Sequence, residues 1–175
     1  MAPTMEPVEA KTAADSDWDK RCDILYKSWV QVRYHRKRQR FFDLVDRATK
    51  ALTLVLGASL FGPYVGKSVS WIGTAISAIG LMALVFSYGD RKQLHKEMAE
   101  RAAGIVRSIE SVPAGQLTAA NTATWAADFA ELVSKAPPPL KTLTMMCERE
   151  QSTADGHPNH VAPRPLGRRV FAHVF

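Results

Sequence analysis

Residues 51–89 decide the fold and have the sequence ALTLVLGASLFGPYVGKSVSWIGTAISAIGLMALVFSYG. Lys67 is the only charged residue of this stretch and divides it into uncharged runs of 16 and 22 residues, Ala51–Gly66 and Ser68–Gly89. A helix that crosses a bilayer needs about 20 apolar residues. The second run is long enough, and the first becomes so when the side chain of Lys50 extends to the head groups. The stretch therefore predicts two membrane spans.

A turn signal separates the two runs. Pro63 is unsuited to a helix interior and stands between Gly62 and Gly66. We predict a tight loop at Gly62–Lys67 and hence a transmembrane helical hairpin. The alternative is a hairpin buried inside a water-soluble helical domain, but Ile72–Phe86 lacks the polar stripe that such a helix normally carries.

Positive charges flank the hairpin on both sides, and the chain as a whole has a net charge of +6. Cytoplasmic segments next to membrane spans are enriched in Lys and Arg. We therefore predict a multi-pass membrane protein with both termini in the cytoplasm. The juxtamembrane cations are Arg33, Arg36, Lys37, Arg38, Arg40, Arg47, Lys50, Arg91 and Lys92.

The basic run RYHRKRQR, residues 33–40, has three interpretations. It can set the topology and contact anionic lipid head groups, it can be a solvated helix face, or it can bind a nucleic acid or nucleotide. Its position, ten residues before the predicted membrane boundary at Lys50, favours lipid and disfavours nucleic acid.

Small residues recur at helical spacing in the predicted spans. Such rows let helices approach closely in lipid, either within one hairpin or between protomers of a homo-oligomer. The sequence leaves both open. The predicted packing residues are Ala58, Gly62, Gly66, Ser70, Gly73, Thr74, Ser77 and Ala78.

The remaining chain predicts helices on both sides of the hairpin. One long helix precedes it, with an apolar seam at Trp18, Cys22, Leu25, Trp29 and Val32. A third helix, about Asp90–Ser111, is expected to return antiparallel to the first as a cytosolic coiled coil. Its stripe is Leu94, Met98, Ala102 or Arg101, Ile105 and Ile109.

Two more helices are expected after the Pro113–Gly115 break. Thr118 is the predicted cap of a helix over Ala119–Lys135, and a short fifth helix follows Pro137–Pro139. Their apolar positions are Trp125, Phe129, Leu132 and Val133 in the first, and Leu140, Leu143, Met146 and Cys147 in the second. The fold class is thus all-α, a two-span hairpin with a cytosolic antiparallel helical bundle. The predicted segments are a disordered lead (1–17), a long juxtamembrane helix (18–50), the hairpin (51–89), a cytosolic helical return (90–151) and an irregular tail (152–175).

Residues with catalytic or metal-binding chemistry are sparse. Cys22 and Cys147 are far apart and show no metal-ligand spacing, so free thiols are expected. His157 and His160 are three apart but lack an acidic or thiol partner nearby, and His35 is expected at the surface. The residues 1–19 are acidic and do not form a signal peptide. We predict no catalytic site, no cofactor, no metal site and no enzymatic activity.

The layout resembles a bacterial family. The aromatic and basic residues before the hairpin, together with two spans and a helical return, look like the SLATT group, the SMODS and SLOG-associating two-transmembrane effector domains. The resemblance covers about Ile24–Cys147 and includes Tyr34, Arg36, Arg38, Arg40, Phe41 and Phe42. It implies an inner-membrane effector of a nucleotide-signalled defence system that acts by pore formation or membrane disruption. Its implied partners are the lipid bilayer, copies of the same chain, and a separate sensor or nucleotide synthase.

Two other classes of function remain open. A phage holin can also have two spans with both ends inside, although the predicted cytosolic helices are longer than a lesion former needs. A membrane-anchored scaffold would use the hairpin as an anchor and the cytosolic helices as its binding surface.

Overall fold

The protein is described by a computed structural model, which covers residues 7–59 and 65–161, with side chains for 15–57, 73–82 and 85–161. This part of the chain is all-helical and contains no strand, which confirms the all-α class. The helices are α1 (Pro7–Ser59), α2 (Val65–Phe86), α3 (Tyr88–Glu110), α4 (Ala119–Lys135) and α5 (Lys141–Ala154), with a 3-10 turn at Ala114–Gln116.

Helix α1 begins earlier than the sequence predicted. The expected disordered lead, 1–17, is helical from Pro7 onward, while residues 1–6 lie outside the described chain. Proline suits the first helical position because its φ angle is preset and its missing N–H is not needed there. Residues 8–56 contain neither glycine nor proline, so nothing in the sequence interrupts the helix up to Ser59.

The predicted loop at Gly62–Lys67 is only partly described. Residues 60–64 lie outside the described chain, and α2 begins at Val65, so Gly66 and Lys67 are helical and the predicted loop was too long at this end. No helix among the described residues is long and apolar enough to cross a membrane. The two spans stay a prediction.

The boundary between α2 and α3 lies at Ser87 rather than at Gly89–Asp90. Ser87 has a φ of 42°, a left-handed conformation that is uncommon for a residue with a side chain. Its carbonyl oxygen accepts a hydrogen bond from the backbone N–H of Arg91 at 3.1 Å, which opens the hydrogen-bond ladder of α3. The direction of the chain therefore changes at one residue, and Gly89 is already inside α3.

The chain divides into two compact units. Unit 1 consists of Met1–His35 and Glu97–Phe175, and unit 2 is Arg36–Lys96. Helices α1 and α3 contribute residues to both. In unit 2, the ring of Phe42 stacks on that of His95 and Asp43 pairs with Lys92, so α1 and α3 run in opposite directions there, as predicted.

Unit 1 has a hydrophobic core with two clusters. In the first, α1, α3 and α4 meet. In the second, α1 meets α5. The buried residues of the first cluster are Ile24, Val32, Met98, Ala102, Ile105, Ile109, Trp125 and Leu132, and those of the second are Val30, Tyr34, Leu143 and Cys147. Helix α1 is therefore covered on more than one side in this unit.

Polar contacts fasten α1 to its neighbours in unit 1. The Arg21 guanidinium donates to the carbonyl oxygen of Ile109 at 3.1 Å. The Tyr34 hydroxyl accepts from the backbone N–H of Leu140 at 3.0 Å, and the Tyr26 hydroxyl donates to the carbonyl of Glu148 at 3.1 Å. The bonds to Ile109 and Leu140 satisfy groups at helix ends, whereas the bond from Tyr26 reaches a carbonyl inside α5.

The seam of α1 differs from the predicted one. Leu25 and Trp29 pack against the core only in part, and Trp18 and Cys22 are exposed. The more deeply buried positions include Ser28 and His35, at 0 % and 1 % exposure. The prediction assumed one partner helix, whereas α1 packs against several, so burial extends beyond a single stripe. His35 is thus not the surface residue that was expected, and the Tyr34 ring lies edge-on to it at 5.2 Å.

The other predicted stripes are largely correct. Ala102, not Arg101, belongs to the core, and Leu143 and Cys147 are fully buried. Val133 is exposed because the described core ends on the neighbouring face of α4 at Leu132.

The predicted cap of α4 is confirmed, and a glycine that was not predicted as a stop ends α5. The Thr118 hydroxyl accepts from the backbone N–H of Asn121 at 3.2 Å and caps α4. At Gly156, φ is 84°, and the N–H groups of Gly156 and His157 bond back to the carbonyls of Thr153 and Ser152. This is the Schellman arrangement, which ends α5 where the sequence predicted irregular chain.

Candidate functional site

Unit 2 exposes a large apolar surface on α1 and α2. Leu54 is 74 % exposed and Val85 67 %. The same surface includes Leu52, Val55, Leu81, Met82 and Phe86. Exposed large apolar residues grouped on two helices are typical of a membrane or protein contact, since single exposed leucines are ordinary but such a group is not.

Some of the small residues that the sequence predicts as packing positions belong to the described part of α2. A Cβ atom added at Gly73 would meet nothing within 4 Å, and Thr74, Ser77 and Ala78 are not buried. The other predicted packing residues, Ala58, Gly62, Gly66 and Ser70, have no described side chains. The packing of these residues stays a prediction.

An apolar pocket lies between the helices of unit 2. It has a volume of ≈ 270 Å³. Its lining comes from α1, α2 and the start of α3, namely Val45, Ala48, Thr49, Leu52, Ile79, Met82 and Tyr88. Helix α2 therefore lies beside the second half of α1 in this unit.

The threonines at the end of α1 satisfy their hydroxyls within the helix. Thr49 Oγ1 donates to the carbonyl of Val45 at 2.8 Å, and Thr53 Oγ1 donates to that of Thr49 at 2.9 Å. Hydroxyl groups bonded in this way need no water, so they are compatible with an apolar environment.

Most of the predicted juxtamembrane cations have a partner. Arg33 donates to the Gln151 amide oxygen at 2.7 Å within unit 1. The Arg38 guanidinium lies 4.6 Å from the centre of the Phe42 ring, a cation–π contact. Lys50 pairs with Asp46 at 2.7 Å. Lys37 is half-buried, and Arg91 is exposed.

Four of the cations converge on one pocket. We call it the basic pocket; its volume is ≈ 450 Å³, and it is lined by Arg36, Gln39, Arg40, Asp43, Arg47 and Lys92. The α1 residues follow at steps of about four and three, so they occupy one face of the helix. Lys92 joins them from α3.

Asp43 pairs with two of the cations that line the basic pocket. Its Oδ1 accepts from Lys92 Nζ at 2.6 Å, and its Oδ2 pairs with the Arg47 guanidinium at 2.9 Å. The hydrogen bond from Lys92 is the main reason why the pKa of Asp43 is lowered, and the Arg47 charge adds to it. The carboxylate therefore stays ionised and fixes two cations in place.

His95 also belongs to unit 2 and is only 4 % exposed. Its ring stacks on Phe42, with centroids 5.6 Å apart. Burial lowers its pKa to about 4, and the positive charges of Arg38 and Arg91 act in the same direction. His95 is consequently neutral near pH 7 and adds no charge to this surface.

The described residues offer no metal site. No group of three or more His, Cys, Asp or Glu side chains comes together in them. His157 and His160 are exposed and belong to the chain after α5, and Cys22 and Cys147 are free thiols.

A mixed-charge cleft of ≈ 320 Å³ lies between α3 and α4, and its lining includes Arg101, Asp128 and Glu131.

No family model, no curated protein and no solved structure matches this chain. The candidate site therefore rests on its own geometry.

Sequence reasoning found the cations but not the pocket. The spacing of Arg36, Arg40 and Arg47 was visible as a helix face, whereas the roles of Asp43 and Lys92 depend on the pairing of α1 with α3. Asp43 was overlooked because one of two acids among many bases is typical of an ordinary surface residue.

Proposed function

We propose that the protein is a two-span membrane protein of the bacterial inner membrane, and that copies of it assemble into a pore-forming or membrane-disrupting effector. The observation that carries this proposal is the exposed apolar surface of unit 2. Its α2 portion belongs to Ser68–Gly89, 22 residues without a charge. Water would penalise this surface by roughly 25 cal/mol for each Å² of apolar area, whereas a bilayer would not.

The distribution of charge supports the orientation. Lys50 follows the cationic part of α1, and Arg91 and Lys92 follow α2 soon after its end. Both helices thus enter the proposed bilayer from the same, positive side, which is the cytoplasmic one.

The proposed pore requires self-assembly, because one hairpin is too small to form it. Two helices cannot enclose an aqueous path, so conduction needs several copies. The small residues Gly73, Thr74, Ser77 and Ala78 leave room for another helix, and close approach of helices adds van der Waals contact in lipid. The resemblance to the SLATT group agrees with an effector that is triggered by a separate sensor or nucleotide synthase.

The first experiment tests topology with Cys22. Because Cys22 is exposed and Cys147 is buried, only Cys22 is a suitable target for a thiol reagent. We expect a membrane-impermeant maleimide to label Cys22 in lysed but not in intact spheroplasts, with Cys22→Ser as the control. Labelling in intact cells would contradict the cytoplasmic orientation.

The second experiment tests assembly. Replacing Ala78, which is exposed on α2, with Leu should reduce both crosslinked oligomers and dye leakage from liposomes, because a larger side chain keeps helices apart. The matched control is Leu81→Ile, which keeps size and polarity on the same helix. A wild-type protein that remains monomeric and causes no leakage, even with its natural neighbours co-expressed, would contradict the effector proposal.

A membrane-anchored scaffold is the second candidate. It is favoured by unit 1, whose two clusters and specific polar contacts are more elaborate than a lesion former needs. In that case wild-type protein would insert without leakage, and a partner would bind unit 1. A holin-like activity would instead cause leakage without any need for unit 1.

A further inference from the structure

We propose that the basic pocket of unit 2 is a binding site for a phosphate group, carried by a lipid head group or by a soluble phosphate compound. The proposal does not rest on membrane insertion, because both kinds of ligand would meet the same cations in detergent solution.

The charge of the basic pocket is unbalanced. Its four cations face a single carboxylate, so the formal charge is +3. Asp43 already uses both oxygens, one for Lys92 and one for Arg47. Four like charges that line one cavity repel one another, and an anion placed among them removes this repulsion.

Arg36 and Arg40 are the groups that are ready to bind. Both are exposed, and neither forms an ion pair or side-chain hydrogen bond in the part of the chain that the structure describes. The two lie one helical turn apart and line the same cavity. Guanidinium groups present paired N–H donors that match two oxygens of a phosphate, which a lysine cannot do.

The fixed and the available cations have different roles. Lys92 and Arg47 are held by Asp43, so their positive charges are positioned before the ligand arrives, which lowers the cost of ordering them. Arg36 and Arg40 then close on the phosphate from the solvent side. Gln39 adds an amide donor to the lining.

Carboxylates are less suitable ligands for this pocket. A carboxylate has two oxygens and one negative charge, whereas a terminal phosphate brings three oxygens and close to two charges at neutral pH. The +3 pocket, with at least three separate donor groups, is matched by the larger and more highly charged anion.

The test uses the full-length protein in a neutral detergent with two probes. Inorganic pyrophosphate represents a soluble phosphate compound. Phosphatidic acid, doped into the micelles, represents a lipid head group, with phosphatidylcholine as the uncharged comparison. Binding is measured from the rise of the thermal unfolding midpoint with probe concentration, since a ligand that binds only the folded state stabilises it.

The decisive variant is Arg36→Gln/Arg40→Gln, and its control is Lys27→Gln/Arg107→Gln. Both pairs remove two exposed positive charges, but Lys27 and Arg107 do not line the basic pocket. We expect the first pair to weaken binding about tenfold or more, as the loss of charge-assisted hydrogen bonds does. The control should bind within about twofold of the wild type. Circular dichroism of each variant ensures that folded proteins are compared.

The outcome also identifies the source of the phosphate. A pocket-dependent response to pyrophosphate supports a soluble ligand, and one to phosphatidic acid alone supports a lipid. Equal weakening in both double variants, or no response of the wild type to either probe, would overturn the proposal. Flotation of the wild type with phosphatidylcholine vesicles tests the proposed membrane insertion separately, because it involves no anionic ligand.

Discussion

The two units of this chain use hydrophobic residues in opposite ways. Of the 15 buried hydrophobic residues among the described side chains, only Phe42 belongs to unit 2. Of the 11 large hydrophobic residues that are exposed, unit 2 holds nine, Leu44, Leu52, Leu54, Val55, Leu81, Met82, Val85, Phe86 and Leu94. Unit 1 buries its apolar surface against itself, and unit 2 presents its apolar surface outward.

This difference indicates different surroundings for the two units. A helical unit is stable in water when its apolar stripes cover one another, as α1, α3 and α4 do around Ile109. Large exposed apolar patches mark membrane or protein contacts, and under the proposed function unit 2 contacts lipid and further copies of the chain. The following predictions separate these two situations by placing similar changes in each unit.

The largest effect is expected from a charge in the core of unit 1. Ile109 is fully buried, so Ile109→Asp should destabilise the protein by roughly 3–5 kcal/mol, because it places a carboxylate among the apolar side chains of the core. Val133→Asp is the matched control, since Val133 is 47 % exposed, and it should change stability by about 0.5 kcal/mol or less. Chemical unfolding in neutral detergent, followed by circular dichroism, measures both. Similar losses in the two variants would contradict the described core.

The next largest effect is expected from a charge at an exposed position of unit 2. Leu81 is exposed, so Leu81→Asp would be nearly neutral if its surroundings were water. In the centre of a membrane span, the same change should oppose insertion by roughly 2.5–3.5 kcal/mol.

Alkaline extraction of membranes from expressing cells measures the effect of Leu81→Asp. We expect the variant to move into the soluble or aggregated fraction, while Leu81→Ala stays in the membrane. If Leu81→Asp remains membrane-bound at the wild-type level, lipid does not surround this face of α2.

A smaller effect, which depends on pH, is expected from His95. Its pKa is about 4 in the folded protein and 6.5 in an unfolded chain, so the unfolded state binds more protons between these values. The contribution of His95 to the free energy of unfolding should therefore be fully present above about pH 6.5. It should be lost as the pH decreases towards 4, and the loss should be at most roughly 3 kcal/mol. The charges of Arg38 and Arg91 act in the same direction as burial.

The pH dependence is tested by comparing His95→Gln with His157→Gln. The first variant removes the buried imidazole and should flatten the stability profile between pH 4 and about 6.5. The second removes an exposed histidine and should leave the profile unchanged. Profiles for the two variants that both match the wild type would show that His95 does not titrate as described.

The sequence predicted local features better than features that depend on several helices. The fourth helix, Ala119–Lys135, and its cap Thr118 follow from short-range signals and were correct. The burial of Ser28 and His35 was missed because it results from three helices that close around α1, and polar residues give no periodic apolar signal.

The candidate site was predictable to a similar extent. The cations were evident from composition, and the apolar stretch was evident from the absence of charge. The basic pocket was not, because Asp43 and Lys92 are 49 positions apart in the sequence and meet only when α3 packs on α1. The break at Ser87 was missed as well, since glycine at position 89 was the stronger local signal.

The smallest effect is expected at the cap of α4, Thr118, which was predicted from the sequence without knowledge of the structure. The Thr118 hydroxyl accepts the hydrogen bond of the Asn121 N–H, one of the donors that a helix start leaves without an intrahelical partner. Thr118→Ala should destabilise unit 1 by about 1 kcal/mol, and Thr118→Ser, which keeps the hydroxyl, by much less. Thr124→Ala, at an exposed position inside the same helix, controls for loss of the threonine side chain, and its higher helix propensity should leave stability equal or slightly raised. The midpoints of thermal unfolding rank the three variants. Because a cap acts on its own helix, the loss should be the same in detergent and in lipid; a loss that appears only in lipid would place α4, against expectation, at the bilayer.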